Sequence, residues 1–133
     1  MLNYAITARR IDAHGSVSGA REAVVQLDTS LGGREDALNP VELLLSALAA
    51  CMIKGVERAA PLLGFDFSGV EVRIQAQRQD SPPQVIAISY ELIVDSPETD
   101  RRLELLHTNV RKYGTISNTL AASMPLSGLV RRA

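Results

Sequence analysis

The stretch from Leu43 to Ile53 constrains the fold more than any other part of the chain. It is apolar at every position but Ser46 and carries no charge. Asn39-Pro40 precedes it, which is helix-start chemistry: Asn accepts from free N–H groups and Pro suits the first helical position. The predicted helix runs to about Ala60, where Pro61 stops it. An apolar run this short does not span a bilayer, so it reads as a buried helix. A helix without a polar face must be covered round most of its circumference. A chain of 133 residues has little else to cover it with. A second copy covering one face is the natural solution, so the pattern predicts a homodimer.

The remaining elements separate into strands and helices. Residues 2–11 alternate, with Leu2, Tyr4, Ile6 and Ala8 on one face, and residues 22–28 suit a second strand. Asp12-Ala13-His14-Gly15 is turn chemistry, and the segment from Leu31 to Leu38 is a loop opened by Gly32-Gly33. After the long helix, Val70, Val72, Ile74 and Ala76 alternate with polar residues, as do Ile86, Ile88, Tyr90, Leu92 and Val94. With Asp80-Ser81-Pro82-Pro83 between them, they form an antiparallel hairpin. Ser96-Pro97 opens a second helix with Leu103, Leu106 and Val110 as its stripe, and Gly114 ends it. Thr115 caps a short helix, and Met124–Val130 closes as a strand. Strands and helices segregate instead of alternating as βαβ units, so the fold class is α+β, in one domain over residues 1–133.

Charge excludes some functions. The net charge is −1, and the Arg/Lys pairs are scattered along the chain, so no basic stripe is present for nucleic acid. The apolar fraction of 46% argues against disorder. The N-terminus shows no basic start followed by an apolar block, so no signal peptide is expected. The single cysteine, Cys51, suits a reducing cytoplasm. His14 and His107 stand at no ligand spacing with Cys or carboxylates, so neither metal nor cofactor is expected.

Cys51 has two readings. It is a small buried hydrophobe, or it is a nucleophilic thiolate, which needs nearby positive charge. Lys54 and Arg58 lie three and seven residues on, on roughly the same helical face.

Two motifs resemble those of the OsmC family, which includes the organic hydroperoxide resistance proteins. One is Leu31-Gly32-Gly33 followed by Asn39-Pro40-Val41-Glu42-Leu43-Leu44 and the run to Cys51. The other is Lys112-Tyr113-Gly114-Thr115-Ile116-Ser117-Asn118-Thr119-Leu120. The resemblance implies antiparallel sheets packed around a long buried central helix, in an intertwined homodimer. It also implies thiol peroxidase chemistry, in which one cysteine takes oxygen from an organic hydroperoxide and a second closes a disulfide that an external thiol reductant opens.

Residue by residue, Cys51 matches the peroxidatic cysteine. Glu42 matches a glutamate that orients a peroxide-binding arginine, and Arg34 and Arg21 both fit that arginine. Gly114 stands where the family has its second cysteine, so the two-cysteine cycle cannot run within one chain. Glu42 lies nine residues before Cys51, about 180° round a straight helix and ~13 Å along it. Either the helix breaks near Ser46, or Glu42 acts through an intermediary or across a dimer; otherwise it only favours the helix N-terminus by its charge. Gly114, following a helix, is expected in a left-handed conformation. Two functions follow: a one-cysteine, thiol-dependent hydroperoxide reductase, or a non-catalytic module binding a small apolar ligand or partner at a dimer cleft.

Overall fold

A computed structural model describes all residues, Met1–Ala133. The chain divides into two compact units, Met1–Leu44 and Leu45–Ala133.

The first unit is a three-stranded antiparallel meander of β1 (Thr7–Asp12), β2 (Gly15–Ala20) and β3 (Ala23–Leu27), with β2 in the centre. The alternation from Leu2 does not produce a strand until Thr7, because β2 reaches back only that far: Gly19 is the partner of Thr7. The Gly/Ser-rich β2 was not expected from its composition. It is a strand because both edges are hydrogen-bonded, not because its side chains favour extended backbone. Ala20 pairs with Ala23 across a two-residue turn in which Arg21 has φ +57°.

A loop follows, tied around the buried Asp28 carboxylate. That group accepts from the Ser30 N–H at 3.0 Å, the Ser30 hydroxyl at 2.6 Å and the Arg34 N–H at 2.9 Å. The sheet has almost no core of its own. All of β1 is exposed, as are Val24 and Val25 of β3.

Helix α1 (Pro40–Leu63) starts in the first unit and runs unbroken into the second. Its start is a reciprocal capping box. Asn39 Oδ1 accepts from the Glu42 N–H at 2.9 Å, and a Glu42 carboxylate oxygen accepts from the Asn39 N–H at 3.0 Å. Pro61 does not stop the helix at Ala60, as expected, but sits in its last turn. The stop comes at Gly64 (φ +58°), whose N–H donates to the Pro61 carbonyl while the Phe65 N–H donates to that of Ala60.

In the second unit, β4 (Gly69–Gln79) and β5 (Gln84–Asp95) form the expected hairpin. The tail forms β6 (Leu126–Arg132), which pairs parallel to β5 on its free edge. Helices α2 (Asp100–Tyr113) and α3 (Thr115–Ala121) lie between β5 and β6 in sequence. One core joins α1 (Leu48, Met52, Val56), β5 (Ile88, Leu92, Val94) and α2 (Leu103, Leu106, Val110).

Two expected caps are displaced. Thr99 caps α2, accepting from the Arg102 N–H at 3.3 Å. Ser96 instead donates its hydroxyl to the Asp66 carbonyl at 2.5 Å and accepts from the Glu98 N–H. Thr115 is the first residue of α3, after Gly114 in the cap position. No helix is long and apolar enough to cross a membrane.

Candidate functional site

Helix α1 buries Leu48, Met52, Gly55, Val56, Ala59 and Ala60 along one face. Cys51 lies at the edge of that face, half-buried, with a free thiol. On the far side Leu44, Ala47, Ala50 and Ile53 are exposed, so the apolar helix is covered on one side only in the single chain.

The seam between α1 and α2 is antiparallel. Arg102 Nη2 donates to the Leu63 carbonyl at 2.6 Å, Arg58 Nη2 to Asn109 Oδ1 at 3.0 Å, and Gly55 faces Val110. Extrapolated one turn further, this progression would bring Cys51 level with Gly114. Gly114 has φ −81° and ψ 114°, ordinary extended backbone, so the left-handed conformation expected from its place after a helix is not adopted. Its need for glycine is steric. A Cβ there would collide with Ser117 Oγ and lie 2.9 Å from the Val110 carbonyl oxygen.

Around this end of the seam the side chains are cationic. The Arg58 guanidinium lies 5.3 Å from the centroid of the Tyr113 ring, and the Lys112 ammonium 5.4 Å from the same centroid. The adjoining Arg111 donates to the Tyr90 hydroxyl at 3.0 Å. The Tyr90 hydroxyl also shares a hydrogen bond with His107 Nε2, 2.5 Å away. Burial holds the His107 imidazole below its ordinary pKa; the Glu104 carboxylate opposes this and the Arg111 charge adds to it. Of these residues only Arg58 was singled out from sequence. Lys112 and Tyr113 stood in a recognised motif without a role, and Asn109 gave no signal, since only the α1–α2 packing brings it to Arg58.

The other candidate residues lie elsewhere. Glu42 is at the start of α1, and because the helix is unbroken it stays ~13 Å along the axis from Cys51, on the opposite side. A break near Ser46 is therefore ruled out, and the carboxylate serves the capping box. Arg34 is in the first unit. Its guanidinium grips Asp36 through two bonds, at 2.7 and 2.9 Å, and reaches the His14 carbonyl at 3.3 Å. It lies over Gly15 in the wall of a groove of about 780 Å³ that Asp12, His14, Leu31 and Asp36 also line. Arg21 is at the β2–β3 hairpin tip. No group of His, Cys, Asp and Glu is arranged to hold a metal ion.

Strands and helices in this order, with a cysteine midway along a capped central helix, define a class of α+β thiol proteins. The sequence profile of the family described as OsmC-like protein matches residues 33–127, and the chain belongs to that family. No curated protein sequence matches it.

Solved structures share the fold at low identity. An OsmC-like protein from Mycoplasma pneumoniae is 20% identical with a TM-score of 0.91, over 99% of this chain and 98% of that one. An organic hydroperoxide resistance protein OsmC from Legionella pneumophila, also described as a predicted redox protein, is 16% identical at 0.76, over 98% of each chain. The organic hydroperoxide resistance protein OhrB of Bacillus subtilis is 16% identical at 0.68, over 98% of each.

Proposed function

We propose that this OsmC-like stress-response protein is a one-cysteine organic hydroperoxide reductase that works as a homodimer and draws its electrons from an external thiol. The observation that carries this is Cys51, half-exposed at the family's peroxidatic position, with Arg58 seven residues on and so within about 20° of it round the helix. Attack on a peroxide needs such access. The Cys51 thiolate attacks a peroxide oxygen. An S–O bond forms to the terminal oxygen, which keeps its hydrogen, and the O–O bond breaks. The departing alkoxide takes up the proton that the thiol gave up and leaves as the alcohol. The sulfur, oxidised by two electrons, becomes a sulfenic acid. An external thiol then forms a disulfide with Cys51 and releases water, and a second thiol frees Cys51 by exchange.

The exposed apolar side of α1 and the coreless first sheet support the homodimer, since a three-stranded sheet needs a surface to pack on. In that assembly residues 1–133 act as one domain. Arg34, in its groove wall, binds the peroxide, and Glu42 acts across the dimer. Arg34 is preferred to Arg21 because its loop is tied down at Asp28, whereas Arg21 is at a hairpin tip. The reducing cytoplasm is the compartment this chemistry fits.

A second reading, a binding module without turnover, is favoured by Gly114, which carries no resolving thiol and where Ser117 and the Val110 carbonyl crowd any side chain. Mass spectrometry after treatment with cumene hydroperoxide separates the two. The reductase gives Cys51 sulfenic acid, or a mixed disulfide when thiol is present. Cys51 unmodified under excess hydroperoxide defeats the enzymatic reading and leaves the binding module.

A further inference from the structure

We propose that the cationic end of the α1–α2 seam selects the reductant: a low-molecular-mass thiol carrying a carboxylate. The proposal rests on the hydroperoxide-reductase reading above and names its co-substrate class.

The first observation is an imbalance of pairing. Every cation on the second sheet and its hairpin has a carboxylate: Arg73 has Glu71, Arg78 has Asp80, Arg131 has Glu91 and Arg132 has Asp100. On the helices, Arg58 and Lys112, which meet at the Tyr113 ring, form no ion pair, and neither do Lys54, Arg101 and Arg111. The carboxylates nearest in sequence do not neutralise them. Glu104 faces His107, and Glu57 pairs with nothing.

The second observation is order. Arg58 and Lys112 are held against one exposed ring, Tyr113, and Arg58 is also fixed by Asn109. Cations at a helix C-terminus, such as Arg111 and Lys112, complement the helix dipole. Arg58, inside α1, has no such reason to be there. Two like charges fixed on one ring repel, and an incoming anion relieves that repulsion.

The third observation is reach. Arg58 is about 10 Å along the helix from Cys51, and an extended tripeptide spans about 10 Å. A peptide-sized thiol is therefore long enough to hold its sulfur at Cys51 and a carboxylate at Arg58 or Lys112. With Gly114 unable to supply a second thiol, the electrons must come from outside. The incoming thiol forms an S–S bond to the Cys51 sulfenic sulfur and water leaves; a second such thiol displaces Cys51 and departs as the small disulfide.

The test reads charge preference as a ratio, which cancels any change in the reactivity of Cys51 itself. Without peroxide, reduced protein is exposed to oxidised glutathione (anionic) or cystamine (cationic), and mixed disulfide at Cys51 is followed by mass spectrometry. Rates are corrected by those of a free cysteine derivative. The expected ratio favours the anion by about tenfold. It falls to about one in 1 M salt and in the Arg58→Gln/Lys112→Gln variant, or with Lys112→Gln alone to an intermediate value. A ratio near one in the wild type at low salt, or one that the variants leave unchanged, overturns the proposal. In a second arm, protein oxidised with cumene hydroperoxide is given glutathione or cysteamine. Sulfenic acid that forms but is reduced equally by both defeats the proposal while the reductase reading stands. Anion preference without any sulfenic acid defeats the reductase reading and leaves an anion-selective exchange site.

Discussion

Gly55 of α1 faces Val110 of α2 so closely that a Cβ at position 55 would lie 3.2 Å from Val110 Cγ1. Both residues are buried. A glycine within a helix costs about 0.5–1 kcal/mol relative to alanine, and this one is kept where the two helix backbones come together. Gly55→Leu is expected to destabilise the protein by about 1–3 kcal/mol through overpacking, read as a lower urea midpoint. A midpoint equal to wild type would show that the seam has slack.

Gly114→Cys tests the missing cysteine. The backbone at 114 accepts any residue, so the cost is the clash with Ser117 Oγ and the Val110 carbonyl. A loss of about 1–3 kcal/mol is expected, partly recovered by adding Ser117→Ala, which removes the colliding hydroxyl. In the double variant, oxidation should join Cys51 to the new thiol, detected as a two-proton mass loss. A folded double variant that never forms this bond would show that the extrapolated alignment of 51 with 114 is wrong.

The capping box separates structure from chemistry at Glu42. Asn39→Ala is expected to cost about 1 kcal/mol. Glu42→Gln keeps an oxygen for the Asn39 N–H and should cost less than half of that. If turnover of hydroperoxide nevertheless falls at least tenfold in Glu42→Gln, the carboxylate charge acts in the reaction as well. Equal turnover would confine Glu42 to the cap.

His107 predicts a pH dependence of stability. Its folded pKa is lowered from an ordinary value of 6.5, first by burial. Near and below 6.5 the unfolded chain therefore binds the proton that the folded protein resists, so stability rises with pH across that window. The contribution is complete above 6.5 and is lost as pH falls toward the folded pKa. Urea midpoints from pH 7.5 to 5 should decline in wild type and decline less in His107→Gln. Parallel curves would assign the decline to other groups.

Much of this protein was determined by the sequence alone. Local chemistry named the helix start at Asn39-Pro40, the β4–β5 hairpin, the stripe of α2 and the absence of a second thiol, because capping and periodicity act over a few residues. Where non-local contacts outweigh propensity, only the tertiary structure decided. It made a strand of Gly15–Ala20 by pairing it on both edges, carried α1 past Pro61 to the Gly64 cap, and ran β6 parallel to β5. The site divides in the same way. Cys51 and Arg58 share a face by helical spacing, legible from numbering. Asn109, Lys112 and Tyr113 reach Arg58 only because α2 packs antiparallel on α1, a juxtaposition across some fifty residues that no local pattern encodes.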